Sequence, residues 1–286
     1  MGNILTIDIG GSSIKYGTFT KSGELIAKSS FDVPSTFEGL KEEIKKLFLD
    51  GEYIAISISS PGAIDTKTGN GYGITAIDYL PKGGNLKQQL SEELNVPVAI
   101  ENDANCAGLS EVHFSEGLDS IAYIVLGSGV GGCMIVDGKV VTGSTFFGGE
   151  FGYIPFKNDT YSRHSGMRGL SKNATGSAEP VMSGIEIFKR YEQGEKAFVD
   201  AVNLYYEGIA SLITILKYTQ NPQQIIFAGA VTNRPTFLDE VRTAMKLISE
   251  RPIDSNIDDV NISISQFGSD ANLYGAYANL VRNYEI

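Results

Sequence analysis

The sequence contains no tryptophan, and only two cysteines and two histidines occur among its 286 residues. Cys106 and Cys133 are too few for a disulfide framework, and no Cys-x-x-Cys pair is present to form a zinc knuckle. His113 and His164 do not form the His-Glu-x-x-His pattern of zinc proteases. These scarcities exclude the disulfide-rich class and that class of zinc hydrolase.

Clusters of basic residues are also missing. The chain has 23 Lys and Arg against 34 Asp and Glu, which gives a net charge of −11. Because a nucleic-acid binder must neutralise phosphates with clustered cations, we expect no nucleic-acid partner. The opening MGNILTIDIGG has no basic segment before an apolar one, and no run of 18 apolar residues follows. We therefore expect a cytoplasmic protein without a membrane partner.

Strand and helix patterns alternate along the first third of the chain. Short apolar runs typical of strands lie at 4–9, 53–59 and 96–101, and apolar residues recur at helical spacing over 37–48 and 86–94. Hydrophobic residues make up 42 % of the sequence, the share expected of a folded chain. This alternation predicts an α/β fold.

One pattern occurs twice. LTIDIGGSSIKYGTFTKSGEL and IAYIVLGSGVGGCMIVDGKVV both consist of an apolar strand, a glycine-rich turn, a strand, a second turn and a strand. This indicates an internal duplication, with two lobes facing a cleft in which small ligands would bind. We expect a helix over 195–219 and a loop over 157–180. The lobes are expected to comprise 1–115 with 271–286, and 116–270.

The two glycine-rich turns are candidates for phosphate binding, because successive backbone N–H groups can cradle phosphate oxygens. Each alone could be an ordinary hairpin turn, but their matching positions favour binding. The P-loop pattern GxxxxGK[ST] is absent, and the GxGxxG of the second turn is followed by a strand pattern rather than the helix of a dinucleotide site. The turn residues are Gly10, Gly11, Ser12, Gly127, Ser128, Gly129 and Gly131.

Acidic residues lie at the ends of two predicted strands. A buried Asp8 beside the first turn would need a partner, which could be Mg²⁺, although it could also simply cap the turn. Glu101-Asn102-Asp103-Ala104-Asn105 follows another strand, at the sheet edge where ligands bind. There Asn102 could bind a polyol and Asp103 could accept a proton from a hydroxyl, or either could only cap a helix.

DIGGSSIK, SSPG, ENDAN, LGSGVGG, GGEFGY and FAGA occur in this order over essentially the whole chain, which resembles the ROK family of bacterial sugar kinases and repressors. The resemblance implies an actin-like, hexokinase-type duplicated fold. It also implies an ATP-dependent kinase acting on the 6-hydroxyl of glucose, a β-glucoside or a related hexose, and a homodimer. N-acetylmannosamine is an alternative substrate, and a sugar-binding regulator without kinase activity is the alternative from another class. Family repressors carry a winged helix before DIGG, for which no room is expected ahead of Asp8.

The resemblance also implies roles for individual residues. Asp103 would be the catalytic base, and Asp8 would hold Mg²⁺ directly or through water, while Lys15 matches a family lysine to which we assign no role. The ATP phosphates would lie at the two glycine turns, with the adenosine flanked by Gly229 and Ala230. The sugar would be held by Gly62, Asn102, Asp103, Glu150 and Tyr153.

The sequence departs from the family pattern at its zinc motif. Typical members have ExGH and then CxCGxxGCxE. Here Tyr153 replaces the histidine, Arg163, Ser165 and Leu170 stand at the three cysteine positions, and Lys172 stands at the glutamate position. We therefore expect no structural zinc, and His164 is expected to be a surface or loop residue. Without the family glutamate near C1 of the sugar, substituted sugars should be tolerated, and Tyr153 offers an aromatic face for a second ring.

Overall fold

Two five-stranded sheets organise the chain. The computed structural model describes residues 2–73, 75, 77–80, 83–250 and 257–286. The chain divides into two compact units. The first unit comprises Met1–Gly117, Thr142–Phe147 and Ser269–Ile286, and the second comprises Leu118–Val141 and Gly148–Gly268. The inclusion of Thr142–Phe147 in the first unit has no counterpart in the ranges expected from the sequence.

The regular elements are as follows. The strands are β1 (Asn3–Ile9), β2 (Ser13–Phe19), β3 (Leu25–Asp32), β4 (Tyr53–Ser60), β5 (Ala63–Ile64), β6 (Gly71–Tyr72), β7 (Val98–Asn102), β8 (Ile121–Leu126), β9 (Val130–Val136), β10 (Lys139–Val140), β11 (Pro155–Phe156), β12 (Asp159–Thr160), β13 (Gln224–Ala228) and β14 (Ile262–Ile264). The helices are α1 (Phe37–Asp50), α2 (Leu86–Leu94), α3 (Asp103–Phe114), α4 (Tyr161–Ser165), α5 (Met167–Thr175), α6 (Gly184–Glu192), α7 (Lys196–Thr219), α8 (Phe237–Ser249) and α9 (Ala271–Asn283).

The sheet of the first unit has the order β3-β2-β1-β4-β7. β1, β2 and β3 are antiparallel neighbours, and β4 and β7 run parallel to β1. Leu5 and Ile7 of β1 pack in one apolar cluster with α1 and α2. Ile4 packs in another with Leu273 and Leu280 of α9. The central strand is therefore buried on both faces, as is usual where helices cover both sides of a sheet.

The sheet of the second unit repeats this arrangement in the order β10-β9-β8-β13-β14. β8, β9 and β10 are antiparallel, and β13 and β14 run parallel to β8. The core of this unit includes α7, which by length and composition alone could cross a membrane. Its Val202, Ile209 and Ile213 are buried in the same cluster as Ile124 of β8. The equal strand order and directions confirm the duplicated α/β architecture.

The polar stretch expected to be a loop over 157–180 is in large part helical. It contains α4 and α5, whose Tyr161, Leu170 and Ala174 are buried against the core that includes α7. The expectation was wrong because a few widely spaced apolar residues are enough to anchor short helices by tertiary packing, which local composition does not reveal.

Candidate active site

The carboxylate of Asp8 is buried at the end of β1. Its Oδ1 accepts hydrogen bonds from Ser59 Oγ on β4 at 3.2 Å and from Asn272 Nδ2 on α9 at 2.8 Å. Its Oδ2 lies 4.0 Å from Lys15 Nζ. Burial raises the pKa of Asp8, and the hydrogen bond from Asn272 and the charge of Lys15 oppose that rise. The Asp8 charge is thus partly compensated by the protein: Oδ1 accepts both hydrogen bonds, and Oδ2 is within ion-pair distance of Lys15.

Asn102 joins the end of β7 to the start of α3. Its Oδ1 accepts the N–H of Asn105 at 3.0 Å, which caps the helix. Its Nδ2 donates to the carbonyl of Gly62 and to Oδ1 of Asp103, each at 3.0 Å. The capping role weighed from the sequence is therefore confirmed, and the polyol-binding role of Asn102 stays a prediction.

Asp103 is the first residue of α3. Its Oδ1 accepts hydrogen bonds from Asn102 Nδ2 at 3.0 Å and from the Ala104 N–H at 2.8 Å. Burial raises the pKa of Asp103 to about 6, the Ala104 N–H opposes the rise, and the charge of Asp8 adds to it. A carboxylate with a pKa near the operating pH and one oxygen left for a substrate suits a general base.

Glu101 lies behind these groups and had no role in the sequence interpretation. Its Oε1 accepts the N–H of Asn102 at 2.6 Å and Nδ2 of Asn105 at 3.0 Å. Burial raises the pKa of Glu101 to about 7. This buried carboxyl group ties the backbone of the Asn102 turn to the first turn of α3.

Gly62 closes the SSPG turn in a backbone conformation that side chains rarely adopt, with φ +98°. A Cβ there would lie 2.9 Å from Thr75 Cγ2 and 3.0 Å from the carbonyl oxygen of Tyr72. Glycine is thus required for the close approach, and its carbonyl holds the Asn102 side chain.

The first glycine turn connects β1 to β2. The N–H of Gly10 donates to the Ser13 carbonyl at 3.2 Å. Gly11 and Ser12 are exposed, and their N–H groups have no acceptor among the described residues. The turn therefore presents two N–H groups that can donate hydrogen bonds to a phosphate oxygen.

The second glycine turn connects β8 to β9 and is fixed through its carbonyls. Those of Gly127 and Ser128 accept the N–H groups of Met167 and Arg168 at the start of α5, at 2.9 and 3.2 Å. The amides of Ser128 and Gly129 have no acceptor in the described part of the chain. Gly131 lies next in β9, opposite Val125 of β8. The sequence indicated this turn, but not its support by α5.

Gly229 and Ala230 follow β13. Gly229 has φ +111°, and a Cβ there would lie 2.1 Å from the carbonyl oxygen of Leu126 at the end of β8. Ala230 is exposed and begins a 3₁₀ turn. Within the second unit, this segment and the second glycine turn therefore both adjoin the end of β8.

Glu150 and Tyr153 also belong to the second unit. Glu150 precedes the 3₁₀ turn Phe151–Tyr153, and its carbonyl accepts the Tyr153 N–H at 3.2 Å. The Tyr153 side chain is 65 % exposed. Its aromatic surface is accessible, as the sequence interpretation requires.

The positions aligned with the zinc ligands do not form a metal site. Leu170 is in the apolar core, Ser165 is buried and Arg163 is exposed; Lys172, at the glutamate position, is also exposed. Within the described ranges, no three His, Cys, Asp or Glu side chains are placed to hold a metal ion. His164 was expected at the surface but is buried in α4, where Phe156 lies 4.5 Å away and Nδ1 contacts Ser165 Oγ.

Comparison with known proteins identifies the family. Residues 4–283 match the ROK family, and the chain belongs to it. It is 34 % identical over 261 residues to a β-glucoside kinase from Listeria innocua, a match that covers 85 % of this chain and 87 % of the relative.

Solved structures agree with this assignment. A ROK family protein from Streptococcus pneumoniae in complex with sucrose matches with a TM-score of 0.89 and 28 % identity, over 98 % of each chain. A ROK glucokinase from Streptomyces griseus in complex with glucose and AMPPNP matches with a TM-score of 0.77 and 23 % identity, over 98 % of this chain and 100 % of that one. The expected actin-like fold and the expected class, a sugar kinase, are confirmed.

Proposed function

We propose that this protein is an ATP-dependent hexose kinase that phosphorylates the 6-hydroxyl of glucose or of a β-glucoside. The observation that carries the proposal is Asp103, a carboxylate at the start of α3 with Oδ1 occupied and a pKa of about 6. The β-glucoside kinase among the relatives supports the substrate class.

Asp103 acts as the general base in this proposal. The sugar 6-hydroxyl donates to Oδ2, and its proton passes to the carboxylate as the oxygen bonds to the γ-phosphorus and the bond to the β-phosphate oxygen breaks. The products are a sugar 6-phosphate and ADP. Phosphoryl transfer depends mainly on positioning and charge neutralisation, so the fixed orientation of Asp103 matters as much as its basicity.

Sugar-binding roles are assigned to groups of each unit. Asn102 is already fixed by Gly62 and Asn105, so it meets sugar hydroxyls without losing further side-chain freedom. Glu150 and Tyr153 of the second unit supply a carboxylate and an exposed aromatic hydroxyl group. Tyr153 takes the position of a family histidine, and we assign it to the anomeric end of the sugar.

The phosphates of ATP are bound by the amides of the glycine turns. Gly10, Gly11 and Ser12 belong to the first turn; Gly127, Ser128, Gly129 and Gly131 belong to the second; Gly229 and Ala230 flank the adenosine. Asp8 fits a Mg²⁺ role because carboxylate oxygens are the ligands this ion prefers and the hydrogen bonds from Ser59 and Asn272 both fall on its other oxygen, Oδ1. Bound Mg²⁺ would neutralise charge on the transferred phosphoryl group.

The proposed location, oligomeric state and partners of the protein follow from the family resemblance and from its net charge. We place the protein in the cytoplasm as a homodimer, without a nucleic-acid or membrane partner. The net charge of −11 supports the absence of a nucleic-acid partner.

Coupled measurement of ADP release tests the proposal with glucose, cellobiose and N-acetylmannosamine as acceptors. We expect kcat/KM for cellobiose to be at least comparable to that for glucose. A value a hundredfold lower for cellobiose identifies a plain glucose kinase, and the largest value for N-acetylmannosamine identifies that alternative. Sugar binding without ADP release identifies a regulator. An Asp103→Asn preparation controls for contaminating kinases.

A further inference from the structure

Three aromatic side chains of the first unit gather at the β5–β6 hairpin. Tyr72 ends β6 and is 43 % exposed, and its ring is stacked on that of Phe146 at 5.7 Å with an angle of 5° between the planes. Phe147 is 44 % exposed and lies beside Gly73, where an added Cβ would be 3.7 Å from the Phe147 ring. We call Tyr72, Phe146 and Phe147 the aromatic platform.

The aromatic platform adjoins residues assigned to the sugar. Tyr72 is paired with Ala63 across the hairpin, and its carbonyl oxygen lies 3.0 Å from where a Cβ on Gly62 would stand. The carbonyl of Gly62 in turn binds Asn102 Nδ2, which contacts Asp103. The backbone that carries Tyr72 thus adjoins, through Gly62, the groups proposed to hold the reacting sugar.

One residue of the aromatic platform has an unusual backbone conformation. Phe146 has φ +67°, which a bulky residue rarely adopts. Such a conformation persists only where the surroundings impose it, and it is found mainly at functional sites. Here it holds the Phe146 ring parallel to Tyr72 rather than in the core.

We propose that the aromatic platform is a subsite for the second pyranose ring of a β-linked disaccharide whose first ring lies at Asn102 and Asp103. The face of an aromatic ring carries a negative electrostatic potential. The slightly positive C–H groups on the face of a pyranose ring therefore pack favourably on it. Apolar and aromatic surface with a few polar groups beside it is typical of small-ligand sites. The inference rests on the proposed kinase function and differs from the sequence interpretation, which gave the second ring to Tyr153.

The test compares kcat/KM for cellobiose and for glucose in single variants. Tyr72→Ala and Phe147→Ala should each lower the cellobiose value at least tenfold, mainly through KM, while the glucose value stays within threefold. Tyr72→Phe, which keeps the ring, should retain both activities. Tyr218→Ala removes a similarly exposed tyrosine, 59 % exposed on α7, and should change neither.

Three results overturn the subsite while leaving the kinase in place. These are equal losses for both sugars in Tyr72→Ala, a cellobiose-selective loss in Tyr153→Ala but not in Tyr72→Ala, and a wild-type protein that uses glucose but not cellobiose. A wild-type protein that phosphorylates no sugar overturns the proposed function and the subsite together. Thermal unfolding of each variant separates misfolding from loss of the subsite.

Discussion

The two units share a strand order but not the chemistry at their strand ends. Asp8 lies two residues before the first glycine turn and is paired with Ser59 on the parallel strand. Val125 lies two residues before the second turn and is paired with Ala228. The same frame thus holds a hydrogen-bonded carboxylate in one unit and an apolar pair in the other, so the fold alone did not determine where charge is placed.

The last strand of each sheet differs in the same way. β7 of the first unit ends in Glu101 and Asn102 and leads into Asp103, whereas β14 of the second unit ends in Ile264. In the proposed reaction, the acid–base and metal-binding carboxylates therefore come from the first unit, whereas both units supply glycine-turn amides and the second adds Glu150 and Tyr153 for the sugar. In this proposal, the two repeats of the duplicated chain have different chemical tasks.

The largest expected effect comes from removing the base of the first unit. Asp103→Asn keeps the size and shape of the side chain but cannot accept the proton, and general-base catalysis is worth roughly 10²–10⁴-fold. We expect kcat to fall by that factor while glucose affinity, measured by calorimetry, is nearly unchanged. Turnover within threefold of wild type would remove Asp103 from this role.

The glycines of the second unit allow a matched pair of substitutions. Gly229→Ala places a methyl group 2.1 Å from the Leu126 carbonyl oxygen at φ +111° and should destabilise the protein by about 1–3 kcal/mol or more. Gly127→Ala meets no atom within 4 Å and should change stability by less than about 0.5 kcal/mol, yet raise KM for ATP. Urea unfolding and ATP kinetics check both; equal stability of the two variants would contradict the packing assigned to Gly229.

A smaller effect on kcat/KM, roughly tenfold per pH unit, should follow the ionisation of Asp103. Because its pKa is about 6 in the folded protein, kcat/KM should decline as pH falls below about 6. The sign for stability is opposite: the raised pKa favours the protonated, folded form, so this contribution is present below the unfolded pKa and lost as pH rises through 6. A pH-independent kcat/KM between pH values of about 5 and 7 would contradict the assignment.

The smallest expected effect is that of metal chelation on the second unit. Leu170 and Arg163 stand at positions that the family resemblance aligns with cysteines, and soft thiolates are what retain zinc. We therefore expect EDTA to leave the unfolding temperature unchanged and elemental analysis to find well under one zinc per chain. About one zinc per chain after dialysis would contradict this.

The local sequence pattern was sufficient to predict many of the strands and helices and part of the candidate site. Short apolar runs predicted the strands, and the position of Asp103 after a strand predicted its place at a helix start. Nothing local indicates that Asn272 donates to Asp8 across 264 residues. A buried carboxylate signals that it needs partners, but only the folded chain says which they are. For the same reason the sequence did not predict α4 and α5, because their stability depends on tertiary packing.

The position of α9 has a consequence for the order of events during synthesis. Leu273, Tyr277 and Leu280 complete an apolar cluster with Ile4 and Phe19, so the first unit needs the last helix as well as the first strand. A ribosome elongating at roughly 5–20 residues per second delivers α9 on the order of ten seconds after α3. During that interval the nascent first unit has an exposed apolar surface where α9 will pack, and exposed apolar surface makes incomplete chains prone to aggregation.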